Sequence, residues 1–389
     1  MPYLADFNLC VGCTACASIC SKYCIEMKSD SDGFAHPILM YPTNCVECGM
    51  CESVCPVLRK DIKNANDLPS AYAAFTKDES IRMDSSSGGI FSELAKSIIV
   101  QQGVVYGAAY DEGYAVHHCC VDNIDDLQKL RGAKYAESNL SDLFIEILDR
   151  LKKGQFVLFS GTSCQVAGLK AFVGKDFNNL ICVDFVCHGV PSPVAWKSYI
   201  EYRSRVDADG ELPHRINLRS KETGWSKYQY SNVFEYENGK KHSVVSSQSL
   251  FMKLFVGDYI SRSSCSNCKF KGYNRVSDIT LGDFWGIWDI DSEMDDNKGT
   301  SVVLIHSEKG QSLWRDINPK IKYKEVTLEQ ASQQNLSMLL PSKENPNSSL
   351  ALHKIKEGKI DSCEEFFIVH KPSIFAVIKG KVNRLINGK

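Results

Sequence analysis

No stretch of the chain stays apolar for the roughly 18–20 residues that a membrane-spanning helix needs. No signal-peptide pattern opens it, so the expected compartment is the reducing cytoplasm, where a disulfide framework is not expected. An excess of one charge is missing too. Lys and Arg number 45 against 47 Asp and Glu, a net charge of −2, and nothing there points to nucleic acid. Beyond residue 56 no internal repeat is found. Cysteine, by contrast, is plentiful: 17 in 389 residues. In a chain without a secretory pattern, that many thiols point to metal.

Eight of them fall in two runs, Cys10, Cys13, Cys16, Cys20 and Cys45, Cys48, Cys51, Cys55. Each run reads C-x2-C-x2-C-x3-C, the spacing of a bacterial-type 4Fe–4S site. Three close thiolates wrap one cubane, and the fourth reaches the other. The expected sets are therefore Cys10, Cys13, Cys16 and Cys55 for one cluster, and Cys45, Cys48, Cys51 and Cys20 for the second. Zinc more often takes two separated pairs than a run of four. Pro56 follows Cys55 but Ser21 follows Cys20, which alters the local turn and not the ligands. Cys24 is surplus and reads as a buried thiol. Electron transfer is the physical task of such a module, and exposed cubanes imply a low-oxygen setting.

The chain is too long for a ferredoxin alone. Four parts are expected: an α+β ferredoxin-like dicluster module at 1–60, a polar linker at 61–70, an α/β catalytic domain with a mixed, partly parallel sheet at 71–310, and a mostly helical extension at 311–389. The middle part alternates strands and helices, the grammar of a covered, partly parallel sheet. Ser85 to Phe91 feeds small residues into an amphipathic helix. It reads as an anion site at a helix N-terminus or as a plain serine–glycine cap. Leu130 to Tyr135, with Arg131 and Lys134, is either a phosphate clamp or a solvated loop. Short polar strands at 216–245 read as an insertion, and Ser301–His306 as the last strong strand. The tail from Lys371 reads as a basic solvated helix or an amphipathic one touching a membrane or partner.

Two apolar strands end near Cys164 and Cys187, where ligands gather in such sheets. Cys265 and Cys268 form half a metal site. Together the four could hold a third cubane, a zinc ion, or leave an isolated redox pair. Cys119, Cys120, Cys182 and Cys363 lie inside strand or helix patterns and read as packing.

Several of these segments, in order, resemble the coenzyme F420 hydrogenase/dehydrogenase beta-subunit family. They are Ser85–Phe91, Gly103–Tyr110, Leu130–Tyr135, Ser160–Gly168, Val186–Pro193 and Ser277–Gly286. The family usually shows proline before the Cys164 position; here it is Ser163. The resemblance implies an iron–sulfur flavoprotein oxidoreductase, with FAD in the catalytic domain and a third cluster beside it. Single electrons would pass from the clusters to FAD for two-electron chemistry on a small molecule or an F420-type deazaflavin. Ser87, Gly88, Gly89, Arg131 and Lys134 are the candidates for FAD phosphates. His188 is a candidate proton donor or a turn cap. Expected partners are ferredoxin or another low-potential donor and possible hydrogenase/dehydrogenase subunits. The alternatives are an electron-transfer beta subunit of a larger complex and a non-enzymatic structural or sensing iron–sulfur protein.

Overall fold

A computed structural model describes residues 2–59, 68–227 and 229–368. Most of the expected linker and the basic tail lie outside them. The N-terminal part is a small α+β module. Strands β1 (Ile25–Ser29) and β2 (Ala35–Leu39) pair antiparallel, and two short helices, Ala15–Ile19 and Met50–Ser53, lie within the cysteine runs.

The rest is built on an eight-stranded mixed sheet. Its strands are β3 (Ser70–Thr76), β4 (Val104–Tyr110), β5 (Val116–Val121), β6 (Val157–Gly161) and β7 (Leu180–Phe185), with three more further on. Strands β8 (Arg215–Ser220), β9 (Ser231–Glu235) and β10 (Lys241–Val245) form a separate antiparallel sheet, the expected insertion. Then β11 (Ile279–Asp283), β12 (Ser301–Ile305) and β13 (Ile321–Val326) complete the large sheet in the order β13-β3-β12-β11-β7-β6-β4-β5. Its centre, β11-β7-β6-β4, is parallel, and the flanks are antiparallel.

The central strands are mostly apolar because both faces are covered. Along β4, β6 and β7, side chains alternate between two cores. Val105, Leu158 and Ile181 pack with the helices Ile90–Val100 and Glu308–Ile317. Tyr106, Phe159 and Cys182 pack with the helices Leu143–Lys152 and Ser163–Val173. Cys13, Ala15 and Val54 of the module belong to this second core. The module is thus packed into the domain.

Ser301–Ile305 is not the last strand. Ile321–Val326 pairs antiparallel with β3 and closes one edge. Only Ile321 in it is buried, and the four residues that follow are exposed. An edge strand open to water can be polar, so its composition reads as helix or loop. The helix Glu308–Ile317 also buries Leu313, Trp314 and Ile317 against the sheet. Residues 308–326 are therefore integral to the sheet domain.

Candidate iron–sulfur and cofactor site

All 17 cysteines are free thiols. Cys10, Cys13, Cys16 and Cys55 lie close enough for charge on one to raise the pKa of another. Burial first, then neighbouring thiols, pushes Cys16 up to about 12. The Gly12 amide points at Cys10 Sγ, 3.5 Å away. Cys20, Cys45, Cys48 and Cys51 line a second hollow of about 260 Å³. The fold thus brings the members of each set together. The two sets differ in access: Cys10 and Cys13 are buried, while Cys48 is exposed. Cys24 is buried, beside Cys20, and its amide donates to Cys20 Sγ at 3.3 Å.

A third thiol set meets at the carboxyl ends of β6 and β7. Thr162 caps the helix Ser163–Val173 in a capping box with Gln165, which sets Cys164 in the first turn. Thr162 Oγ1 is 3.0 Å from Cys164 Sγ. Cys187 follows β7. Cys265 and Cys268 arrive from the loop that bridges Pro191 through Ser261. Cys265 is influenced by the charges of Cys187, Cys164 and Cys268, in that order. Burial pushes Cys164 up to about 12. Among the described residues, no group of three His, Cys, Asp or Glu side chains is drawn in tightly enough for a single metal ion.

Ser163 replaces the expected proline with a hydroxyl that is used. It accepts from Arg275 Nη1 at 2.8 Å. Arg275 also donates to Asp184 at 3.1 Å and, through Nε, to the Gly272 carbonyl at 3.0 Å. One buried guanidinium thus ties together all three loops that carry the thiols. Sequence reasoning missed it, because its partners are about 90 and 110 residues away in the chain.

Cys164 and Cys187 open onto a cavity of about 730 Å³, within the range of cofactor sites. Ser87, Gly89, Arg131, Lys134 and His188 also line it, and Gly88 does not. A β-carbon on Gly88 would stand 2.4 Å from the Ala74 carbonyl, so this glycine serves close packing against β3. The serines do not cap the helix Ile90–Val100. Gly89, at φ +81°, is its N-cap, with no side-chain bond. Ser85 Oγ donates to the Ile81 carbonyl at 2.7 Å and Ser87 Oγ to the Thr300 carbonyl at 3.0 Å. The carbonyls of Ser86 and Ser87 are held by buried donors: Trp225 Nε1 at 3.1 Å and Lys221 Nζ at 2.7 Å, respectively. That leaves the start of the helix facing the cavity.

Arg131 Nε donates to Ser92 Oγ at 3.0 Å. Lys134 Nζ instead donates to the carbonyls of Lys129 at 2.9 Å and Arg131 at 2.6 Å, and burial lowers its pKa to about 7. His188 Nε2 lies 2.9 Å from Asp258 Oδ1, a partner the sequence did not reveal. Asp258 sits at φ +60°.

His118, on the cavity wall, is a different case. Its Nε2 donates to the Ser160 carbonyl at 3.0 Å, and Nδ1 accepts from Ser138 Oγ at 2.6 Å. Burial lowers its pKa from 6.5 to about 4. Below 6.5 the unfolded imidazole takes up a proton that the buried one refuses until about 4. The fold should therefore lose stability as pH falls through that window. Urea midpoints measured from pH 7 to 5 should drop in the wild type and drop less in His118→Gln. Parallel slopes would refute the assignment.

Residues 154–331 match the family described as the C terminus of the coenzyme F420 hydrogenase/dehydrogenase beta subunit. That part of the chain belongs to this family. Residues 9–58 match the 4Fe-4S dicluster domain. Two curated relatives align with the N-terminal part. One is a ferredoxin from Saccharopolyspora erythraea, 37% identical over 65 residues, 16% of this chain and 58% of the relative. The other is NADH-quinone oxidoreductase subunit I from Pelobacter propionicus, 34% identical over 71 residues, 16% of this chain and 36% of the relative. The chain thus spans less than two thirds of either. A chain of the F420-reducing [NiFe] hydrogenase complex from Methanosarcina barkeri aligns with 78% of this chain and 93% of its own length, at 16% identity and a TM-score of 0.46. No helix among the described residues is long and apolar enough to cross a membrane.

Proposed function

We propose that the chain is an iron–sulfur flavoprotein oxidoreductase with three 4Fe–4S clusters and one FAD. The observation that carries this reading is a single cavity onto which Cys164 and Cys187, the uncapped start of a helix, and Arg131 all open. Helix amides and a guanidinium suit a pyrophosphate. The four thiols around Cys164 suit a cubane. When bound, the clusters would supply one-electron transfer and the flavin two-electron chemistry on a small molecule or F420-type deazaflavin.

The chain's own residues then have definite tasks. Arg219, Trp225 and Lys221 turn the Ser86–Ser87 carbonyls away from an anion. Asp258 orients the His188 imidazole, which can hold a proton at the cavity wall. Of the five phosphate candidates Arg131 is favoured, with the helix amides after Gly89 as an addition to them, since Lys134 bonds within its own loop. Reduced thiols fit a cytoplasmic setting, with ferredoxin or another low-potential protein as donor. A role as one subunit of a larger hydrogenase or dehydrogenase is a second reading, favoured because the matched family is described as a beta subunit.

Anaerobically prepared protein should contain about twelve iron atoms and one FAD per chain. About eight iron atoms would remove the third cluster, as would zinc in its place. Full iron without flavin would favour a structural or sensing protein. Co-purifying subunits would favour the larger complex.

A further inference from the structure

Between the thiol set of Cys10, Cys13, Cys16 and Cys55 and that of Cys164, Cys187, Cys265 and Cys268 lies one buried arginine. Arg262 is 2% exposed. Its Nε donates to the Cys10 carbonyl at 2.7 Å, and Nη2 to the Ala35 carbonyl at 2.8 Å. Its Nη1 pairs with Glu137 Oε2 at 2.5 Å. Its backbone is anchored on the other side: its N–H donates to the Val190 carbonyl at 2.9 Å, and its carbonyl accepts from Cys265 N at 3.0 Å. Arg262 is therefore fastened to a ligand of each set.

Glu137 completes the arrangement. Its Oε1 accepts from Ala35 N at 2.9 Å, and its own N–H donates to the Pro191 carbonyl at 3.1 Å. Gly12, at φ +67°, leaves room for the pair: a β-carbon there would come within 3.0 Å of Glu137 and 3.1 Å of Arg262. The same seam is stitched by Lys269, next to Cys268, whose Nζ donates to the Val57 carbonyl at 3.0 Å.

Removing two charges from water is costly, and an apolar pair would fill the space with less penalty. A buried pair seated between two electron-carrying sites has a further effect. Each added electron brings one negative charge, and a guanidinium nearby in a low-dielectric interior favours it. Glu137 opposes that effect. We propose that the Arg262–Glu137 pair sets the reduction potentials of the inner N-terminal cluster and the third cluster, the arginine raising them and the glutamate tempering the rise, while the same side chains hold the two sites at a fixed separation. Arg262 is a positioning and potential-setting residue; it touches no substrate. The inference rests on the cluster reading above.

The test is an EPR-monitored redox titration of the full-length, anaerobically purified protein. Glu137→Gln should raise the affected potential. The arginine's share is read between Glu137→Gln and Glu137→Gln/Arg262→Gln, both of which lack the carboxylate. The double variant should titrate lower by at least a tenfold change in the reduction equilibrium, about 59 mV for one electron. Arg262→Lys should stay near the wild-type potential even if it is less stable, because the charge remains. Equal potentials in the single and double variants, both with full iron, would overturn the proposal. If the double variant loses iron, Glu137→Gln against wild type decides: an upward shift upholds the proposal, and no shift overturns it. Iron missing from the wild type would instead overturn the cluster reading and this inference with it.

Discussion

Cys268→Ala should lose about four of the roughly twelve iron atoms, keep its FAD, and still fold. The thiol set around Cys164 draws one ligand from each of two strand ends and two from one loop, so no neighbouring cysteine can replace Cys268 without moving backbone. Cys182, the buried thiol on β7, faces the opposite core among Tyr106, Phe159 and Phe172. The cavity is lined by Cys164 and Cys187 and not by Cys268, so the flavin pocket should survive. Reduced ferredoxin should then bleach the flavin band slowly, while small diffusible reductants bleach it as before. Stopped-flow absorbance would show this. Equal ferredoxin-driven rates would sink the idea of a third cluster between the module and the flavin. Loss of FAD together with the iron would mean that this site holds the domain together and conducts nothing.

Arg275→Met should cost about 3–5 kcal/mol, the typical penalty for removing one partner of a buried ion pair. Arg275 and Asp184 are 2% and 1% exposed at their side chains. Methionine matches the stem but leaves the Asp184 carboxylate in the sheet with only the Ser277 and Thr280 hydroxyls. It also frees Ser163 and the Gly272 carbonyl, so the loops that carry Cys164 and Cys268 lose a common anchor. The variant should unfold at lower denaturant and hold its third-site iron more loosely than the roughly eight atoms of the module. Unchanged chemical stability would show that Asp184 is adequately paired without the arginine. Arg275→Lys should recover only part of the loss, since one ammonium cannot reach all the acceptors of the fork.

How far the sequence could be read depended on how local each signal was. The eight N-terminal cysteines were legible because cubane ligands recur at fixed short intervals. Strands β4, β6 and β7 were legible as apolar runs because both their faces are covered, whereas β11, with Thr280, Gly282 and Asp283 in it, was not read as a strand. Cys164 and Cys187 could be placed at neighbouring strand ends by the strand-turn-helix pattern. Whether Cys265 and Cys268 join them stayed open in the sequence, since their loop reaches the sheet rim from a distant part of the chain. Strand β13 was hidden by its exposed lysines. Arg262, Glu137, Arg275 and Asp258 were invisible for a common reason. A buried charge is identified by its ionisable partner, and each such partner here is 70 or more residues away in the chain.

Gly168 and Arg262 press on Cys13 and Cys10, respectively. A β-carbon on Gly168 would stand 2.8 Å from Cys13 Sγ. Both residues are synthesised long after the thiols they cover. Between Cys55 and Arg262 lie about 200 residues, roughly 10–40 s of translation at about 5–20 residues per second. During that interval the inner thiol set has no roof. The outer set, with Cys48 at the surface, stays open afterwards. If both sites take up iron, the inner one would be reached most easily before its roof is made, whereas the outer one would stay open to loading or repair in the finished fold.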